Sequence, residues 1–368
     1  GTLRIAYFAV LGSMFLQSER FEGPGAVDNP VRRAPLHATV WTMTPRESLP
    51  DEFRDTGFSV HIARLHGVSR SRLRSVDLEA PFFGVRAPAG TVPTFDDITD
   101  PYERQRRARV SRARVYAPRL HTGHFFSHQT AASIWDAPLP LEFTGDDQIA
   151  AYSDLHLHVS AAGHTPFPRA SGIVGHRTLS SMTDITVHDG LRVTSPAATW
   201  ASLGGLPLFD IVAVGDHMCR VWRGGKGRPT PVRASLSTRA DLRTMLETGR
   251  RRGAARLRNA LELVREDSWS PRETRVRCIL IAGGLPEPEL NVDLYDERGR
   301  FLGCVDMVYR EARVVIEYLG MLHGEQWAAD VERLARFRAA GWIVIEVTSP
   351  LLRRPEELVR RVSAALGV

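Results

Sequence analysis

Apolar positions recur with different periods along the chain, and each period predicts its own kind of element. The reading is clearest towards the C-terminus. Residues 289–295, 301–309 and 313–319 alternate or run apolar over strand lengths, and Trp342 to Val347 is a short apolar run. A period of two places successive side chains on opposite faces of a sheet, so these segments predict four strands. Between the third and fourth, Glu325 to Ala340 puts Trp327, Val331, Leu334 and Phe337 on one helical face. Ser270, with Pro271 after it and Glu273 three positions on, predicts a helix running to about Ala282, because serine caps and proline suits the first helical turn. Pro355 to Leu366 predicts a last helix, which makes the order αβββαβα.

Upstream the pattern is weaker. Val60, Ile62, Ala63 and Leu65 mark one helical face, Gly67 breaks it, and Ser69 stands where it can cap a second helix carrying Arg70, Arg72 and Arg74. Residues 81–86 (PFFGVR) then read as a short strand or wing. Helix, glycine turn, arginine-bearing helix and wing is the layout of a winged helix-turn-helix, whose second helix enters the DNA major groove. A plain helical hairpin with a basic face fits the same residues. Further on, Ser127 caps a predicted helix, and strands are expected at Leu155 to Ser160, Asp184 to Val187 and Leu191 to Thr194. Arginines 104, 106, 107, 109, 112, 114 and 119 form a dense run that reads as a solvated helix face or a linker.

The expected architecture is therefore an α/β (α+β) multidomain chain. Residues 1–42 read as a poorly structured extension or a mis-called start, 43–90 as the winged-helix module, 91–247 as a mixed α/β middle domain, and 248–368 as the αβββαβ core. Ile5 to Leu16 looks like the apolar part of a signal peptide, but no clean cleavage site follows and the run is too short to span a bilayer. A cytoplasmic protein is expected.

Composition adds a partner class. The 368 residues are 43% hydrophobic and 24% charged, which fits a folded globular chain, and the net charge of +6 favours a polyanion. Lys226 is the single lysine among 48 basic residues, so a GC-rich coding sequence explains part of that arginine excess. Three dispersed cysteines, Cys219, Cys278 and Cys304, have neither disulfide nor zinc spacing and read as small buried apolar residues. His121, His124, His128, His156, His158 and His164 invite a zinc reading. His124 and His128 alone have ligand spacing, with no glutamate between them, so these are taken as polar or capping histidines.

The chemistry centres on two acids in otherwise apolar strands, Asp306 and Glu317. A tight turn at Glu311 and Ala312 sets Arg310 opposite Arg313 and hence Asp306 opposite Glu317, with Cβ atoms about 5 Å apart. Two carboxylates so placed can share one Mg²⁺ or Mn²⁺, and without a cation they repel. The competing reading is pairing with arginines such as Arg313 or Arg275, and a one-residue slip would send the acids to opposite faces. Glu273 reads either as a further metal-proximal acid or as the second half of the capping box. His323 reads as a general base or an ordinary loop histidine. Arg275 and Arg277, with Arg251, Arg252, Arg256 and Arg258 upstream, could hold backbone phosphates.

These residues carry a resemblance. Residues from about 265 to 367 resemble the very-short-patch-repair-like endonuclease domain, a PD-(D/E)XK, restriction-endonuclease-like fold. The matching positions are Asp306, Ile316-Glu317-Tyr318-Leu319-Gly320, His323, Asp330 and the closing strand Gly341 to Thr348. Residues 43–90 and the middle domain, with Gly190 to Leu203 and Phe209 to His217, are similar to AbiEi-type antitoxins of toxin-antitoxin systems. The resemblance implies a DNA-binding, Mg²⁺-dependent hydrolase, with Asp306 and Glu317 as metal ligands and Arg70, Arg72, Arg74, Arg275 and Arg277 on DNA. The alternative it leaves is a non-catalytic antitoxin-type regulator, with a toxin partner, whose nuclease-like domain is degenerate. Leu319 is the departure, since the family has Asp there and the wider fold Lys.

Overall fold

A computed structural model describes residues 47–91, 93, 95, 97–226, 228, 234–320 and 325–368, and the side chains of all of these except 325–328. The expected extension at 1–42 and His323 lie outside the described residues. Those residues hold eleven α-helices and three sheets in a mixed α/β arrangement, with no helix long and apolar enough to cross a membrane.

The first module is small. Strand β1 (Phe58–Ser59) leads into α1 (Val60–Leu65), and β2 (Leu78–Glu79) and β3 (Val85–Pro88) complete an antiparallel sheet ordered β1-β3-β2. The second helix expected after Ser69 is a single 3₁₀ turn, Arg72–Arg74. Burial explains the shortening. Leu73 joins Phe53, Phe58, Ala63 and Val68 in a small core, and the Arg72 guanidinium is drawn inward to Asp77 (2.9 Å) and the Glu47 carbonyl (2.6 Å).

In the second module α2 (Pro101–Tyr116) carries the arginine run. It is the solvated face expected only in part, since Arg107 and Arg114 are exposed. Arg109 is buried, with Ser133 at 2.9 Å and Glu142 at 2.9 Å, and Arg112 is buried between the rings of Phe82 (4.8 Å) and Tyr152 (5.1 Å). A long stem with a planar, weakly hydrated head can be packed where it finds an acid or an aromatic face. Strands β4 (His124–Phe126), β5 (Leu157–Ala162), β6 (Ile173–Thr178), β7 (Ile185–His188) and β8 (Leu191–Thr194) form a mixed sheet ordered β6-β5-β4-β8-β7. Helices α3 (His128–Ile134), α4 (Pro196–Ser202), α5 (Leu208–Cys219), α6 (Arg239–Glu247) and α7 (Ala254–Leu263) share its core, in which Trp200 is fully buried and donates to the Ile211 carbonyl at 3.1 Å.

Packing carries this core past residue 247, because α7 buries Leu257, Ala260 and Leu261 in it. Gly253 permits that fit: it sits at φ +71° directly under the Gly204 carbonyl, where a Cβ would collide.

The third module contains α8 (Pro271–Ala282), β9 (Glu289–Tyr295), β10 (Phe301–Tyr309), β11 (Val314–Leu319), α9 (Glu325–Ala339), β12 (Ile343–Thr348), α10 (Ser349–Leu352) and α11 (Pro355–Leu366). The sheet order is β12-β11-β10-β9, with β11 and β12 parallel and the other pairs antiparallel. Around the β10–β11 turn, alternation divides it between two cores. Met307, Tyr309, Val314 and Ile316 pack against Val276, Leu280, Leu358 and Val362 of α8 and α11, while Val308 and Val315 pack against Leu334 and Phe337 of α9. Val331, expected on the buried face of α9, is 42% exposed.

Candidate functional site

The turn joining β10 to β11 is closed by Arg313 N donating to the Arg310 carbonyl at 3.0 Å, and Arg313 takes the positive φ (+52°) that the tight turn demands. Met307 then pairs with Ile316, Val308 with Val315 and Tyr309 with Val314. Extending that register by one residue sets Asp306 against Glu317.

The backbone ladder ends there, and the two carboxylates take over its work. Glu317 Oε1 accepts the Asp306 N–H at 3.3 Å, and Asp306 Oδ2 accepts the Tyr318 N–H at 2.8 Å. Each acid thus satisfies a donor on the opposite strand. Glu317 is 2% exposed, whereas Asp306 is partly accessible.

An arginine also reaches the pair, but neither Arg313 nor Arg275. Arg333 of α9 grips Glu317 with two bonds, Nη1 to Oε1 at 2.9 Å and Nη2 to Oε2 at 3.1 Å, and reaches the Cys304 carbonyl (3.0 Å) and Asp330 Oδ1 (2.9 Å). Arg333 was legible as lying on the same helical face as Phe337, four residues on, yet an arginine there reads as a solvated edge until the strand opposite is known to carry an acid.

Glu273 enters from α8. Ser270 caps that helix by accepting the Glu273 N–H at 3.1 Å, while the Glu273 side chain turns to the Trp269 N–H (3.0 Å) and to Asn291 Nδ2 (2.8 Å). Asn291 stands beside Asp306 on β9, between the pairs Val305–Val292 and Met307–Leu290. Glu273 therefore both starts a helix and places a charge near Asp306.

The electrostatics follow. Burial first, then the charges of Glu317 and Glu273, push the Asp306 carboxyl well above its ordinary range. Burial raises Glu317 against the pull of Arg333, and burial raises Glu273 against the hydrogen bonds from Asn291 and Trp269. The folded chain consequently holds more protons here than the unfolded chain does, from the usual carboxylate value of about 4 upward. Stability from these groups is complete at low pH and is lost as pH rises through their raised values. A divalent cation held by the pair would compete with those protons and so raise the melting midpoint more as pH rises, with the rise fading on acidification and missing in Asp306→Asn; thermal melts followed by fluorescence across pH check this.

Leu319, two residues beyond Glu317 on the same strand, packs partly buried against the apolar core shared with Phe337 and Trp342. It offers no proton or charge.

The DNA-facing arginines divide. Arg70, Arg74 and Arg275 are exposed. Arg72 is 8% exposed and committed to Asp77. Arg277 is 0% exposed, held by Asp216 at 2.9 Å and Glu287 at 3.0 Å, so it ties α8 to α5 and does not face a phosphate. Arg251 and Arg256 spend their donors on backbone carbonyls of Met182, Met245, Gly204 and Leu206. The phosphate-holding role expected of Arg72 and Arg277 is thus corrected: ion pairs inside the fold claim both.

A hollow of about 1160 Å³ between Tyr295, Phe301, Arg313 and Trp342 contains none of the three acids. No family model, no curated protein and no solved structure matches this chain.

Proposed function

We propose that the chain is a DNA-binding, metal-dependent endonuclease of the PD-(D/E)XK type, hydrolysing phosphodiester bonds with Mg²⁺ or Mn²⁺ held by Asp306 and Glu317. The observation that carries this reading is the meeting of the two carboxylates where the β10–β11 ladder ends, with Glu273 close enough to raise Asp306 further. The α8-β9-β10-β11-α9-β12 order, with β11 beside a parallel β12, supports it.

Hard oxygen donors fit Mg²⁺, and Asp306 Oδ1 accepts no hydrogen bond among the described residues. Glu317 fits once Arg333 releases one of its oxygens. When bound, the ion would polarise the phosphate and acidify the attacking water. Asp306 and Glu317 orient that charge, and His323 is proposed as the base. Exposed Arg70, Arg74 and Arg275 are assigned to the DNA backbone, with α1, the Arg72–Arg74 turn and the β2–β3 pair as a reduced winged helix. A cytoplasmic location follows from a DNA substrate. The test is incubation of the purified chain with supercoiled, mismatched or single-stranded DNA and Mg²⁺ or Mn²⁺; no cleavage of any of them sinks the enzymatic reading.

The grip of Arg333 on Glu317, together with Leu319, favours a second reading: a non-catalytic, antitoxin-type DNA-binding regulator, acting with a toxin, in which a guanidinium has replaced the metal. The two readings part on Arg333→Gln. If the site is a metal site, Mn²⁺ binding measured by calorimetry tightens in that variant and disappears in Asp306→Asn. If the guanidinium is the permanent cation, neither the native chain nor Arg333→Gln binds Mn²⁺, and promoter binding is indifferent to EDTA.

A further inference from the structure

We propose that His128, His158 and His176 form a second metal site, for a divalent transition ion of which Zn²⁺ is the first choice, in the five-stranded sheet of the middle module. The three come from separate elements: His128 opens α3, His158 stands in β5 and His176 in β6. His176 had no place in the sequence reading, because only strand pairing brings it to the others. β5 and β6 run parallel with His158 opposite Val174 and Ser160 opposite His176, so the two histidines lie one diagonal step apart on one face. Ser127 N donates to the His158 carbonyl at 3.1 Å, which swings the start of α3 over that face and delivers His128 to it.

One nitrogen from each ring lies within 4.8 Å of the other two. Tetrahedral zinc with bonds of about 2.0–2.1 Å spaces its ligands by about 3.3 Å, so the nitrogens would have to draw together by at most about 1.5 Å. The rings of His128 and His176 are stacked with centroids 3.7 Å apart, and rotation must turn their in-plane lone pairs towards a common point. His158 Nδ1 and His176 Nε2 are 2.9 Å apart, a hydrogen bond the ion would replace. Each neutral ring keeps one N–H and offers its other nitrogen, so no proton has to leave.

Three further observations suit a site. His128 Nδ1 is 2.9 Å from Ser127 Oγ, which in turn accepts from Ser160 Oγ at 2.6 Å. An Nδ1–H given to Ser127 leaves Nε2 to ligate, the outer partner fixing the tautomer. His128 also holds φ at +51°, a left-handed conformation that side-chain-bearing residues seldom adopt, so its ring is presented against local preference. All three residues are partly accessible to solvent.

The charge state agrees. Burial, then His176, His158 and Arg252, push His128 down to about 2; burial, then His176, Arg109 and His156, push His158 down to about 3; burial lowers His176. The neutral, ligating form therefore holds throughout the physiological range. Arg109 is neutralised by Glu142 at 2.9 Å. Arg252 adds positive charge near the site, which favours an anion or hydroxide in the fourth position that three protein ligands leave open.

The test uses the full chain with any histidine tag removed and the metal stripped, titrated with Co²⁺. A tetrahedral imidazole site gives intense visible bands, whereas an oxygen site such as the carboxylate pair gives weak ones. The expected result is one equivalent of intensely absorbing Co²⁺, displaced by Zn²⁺, unchanged in Asp306→Asn and bound at least about tenfold more weakly in His176→Gln. Absence of the bands in the native chain overturns the proposal without recourse to any variant. Bands unchanged by His176→Gln and His158→Gln overturn it as well.

Discussion

Replacing Glu317 with glutamine is expected to lower Mg²⁺-dependent cleavage of supercoiled DNA by at least about 100-fold, equivalent to about 2.7 kcal/mol of transition-state stabilisation. The substitution keeps the side chain's shape and its acceptance of the Asp306 N–H, so the end of the ladder survives. What it removes is the negative charge. Glutamine is a weak ligand for a hard cation, and in a buried site the loss of one of two anionic ligands acts on the ion at low effective dielectric. The measurement is the initial rate of plasmid nicking, beside a circular dichroism spectrum showing the fold retained. A variant that cuts within threefold of the native rate is incompatible with Glu317 as a metal ligand. If the native chain does not cut at all, the enzymatic reading has already failed and the regulator reading stands.

The largest loss of stability is expected at a different acid. Arg277→Met should destabilise the chain by about 3–5 kcal/mol, because it leaves a buried carboxylate without its counter-charge. Asp216 sits 1% exposed in α5 and accepts from Arg277 Nη2 (2.9 Å), the Arg265 N–H (2.7 Å) and the Thr274 hydroxyl (2.7 Å). Burial already raises its carboxyl in spite of Arg277, so the arginine offsets only part of the desolvation. Combining Arg277→Met with Asp216→Asn removes the orphaned charge, keeps one oxygen to accept the Arg265 N–H and puts an amide N–H where the Thr274 hydroxyl can accept, and should recover much of the loss. Guanidinium unfolding midpoints of the two singles and the double give the coupling. Equal losses in Arg277→Met and the double variant would show that the pair contributes packing and not charge compensation. Because this network joins α5 to α8, its rupture should also weaken DNA cleavage or binding in proportion to the unfolded fraction.

The third module was legible for a physical reason. Its strands are buried on both faces or alternate, its helices begin at Ser270-Pro271 and Pro355, and local rules of capping and periodicity act within each segment. A short turn leaves the register little freedom: Arg310 and Arg313 close it, and each acid stands four residues away along its strand, so of the two registers the sequence left open the structure takes the one that opposes them. Around those acids the picture is tertiary. Nothing near Glu317 in the chain names Arg333, sixteen residues on in a different element, and the Glu273 carboxylate also takes Asn291, eighteen residues on, and the Trp269 N–H.

The arginines show the same limit from the other side. Arg72, Arg109, Arg112 and Arg277 look in sequence like the solvated or phosphate-facing arginines around them. Each is buried because an acid, a carbonyl or an aromatic ring from elsewhere waits for it, and the free energy of burying a guanidinium depends on that partner and hardly at all on its neighbours in the chain.

By itself, then, the sequence indicated the αβββαβ order and one register that opposes the acids on β10 and β11, both of which rest on interactions within a few residues or across one tight turn. Only the tertiary structure decided which cation meets Glu317, which arginines remain exposed, and that three scattered histidines converge. Those outcomes depend on contacts between segments tens of residues apart, where the chain's local preferences no longer discriminate among partners.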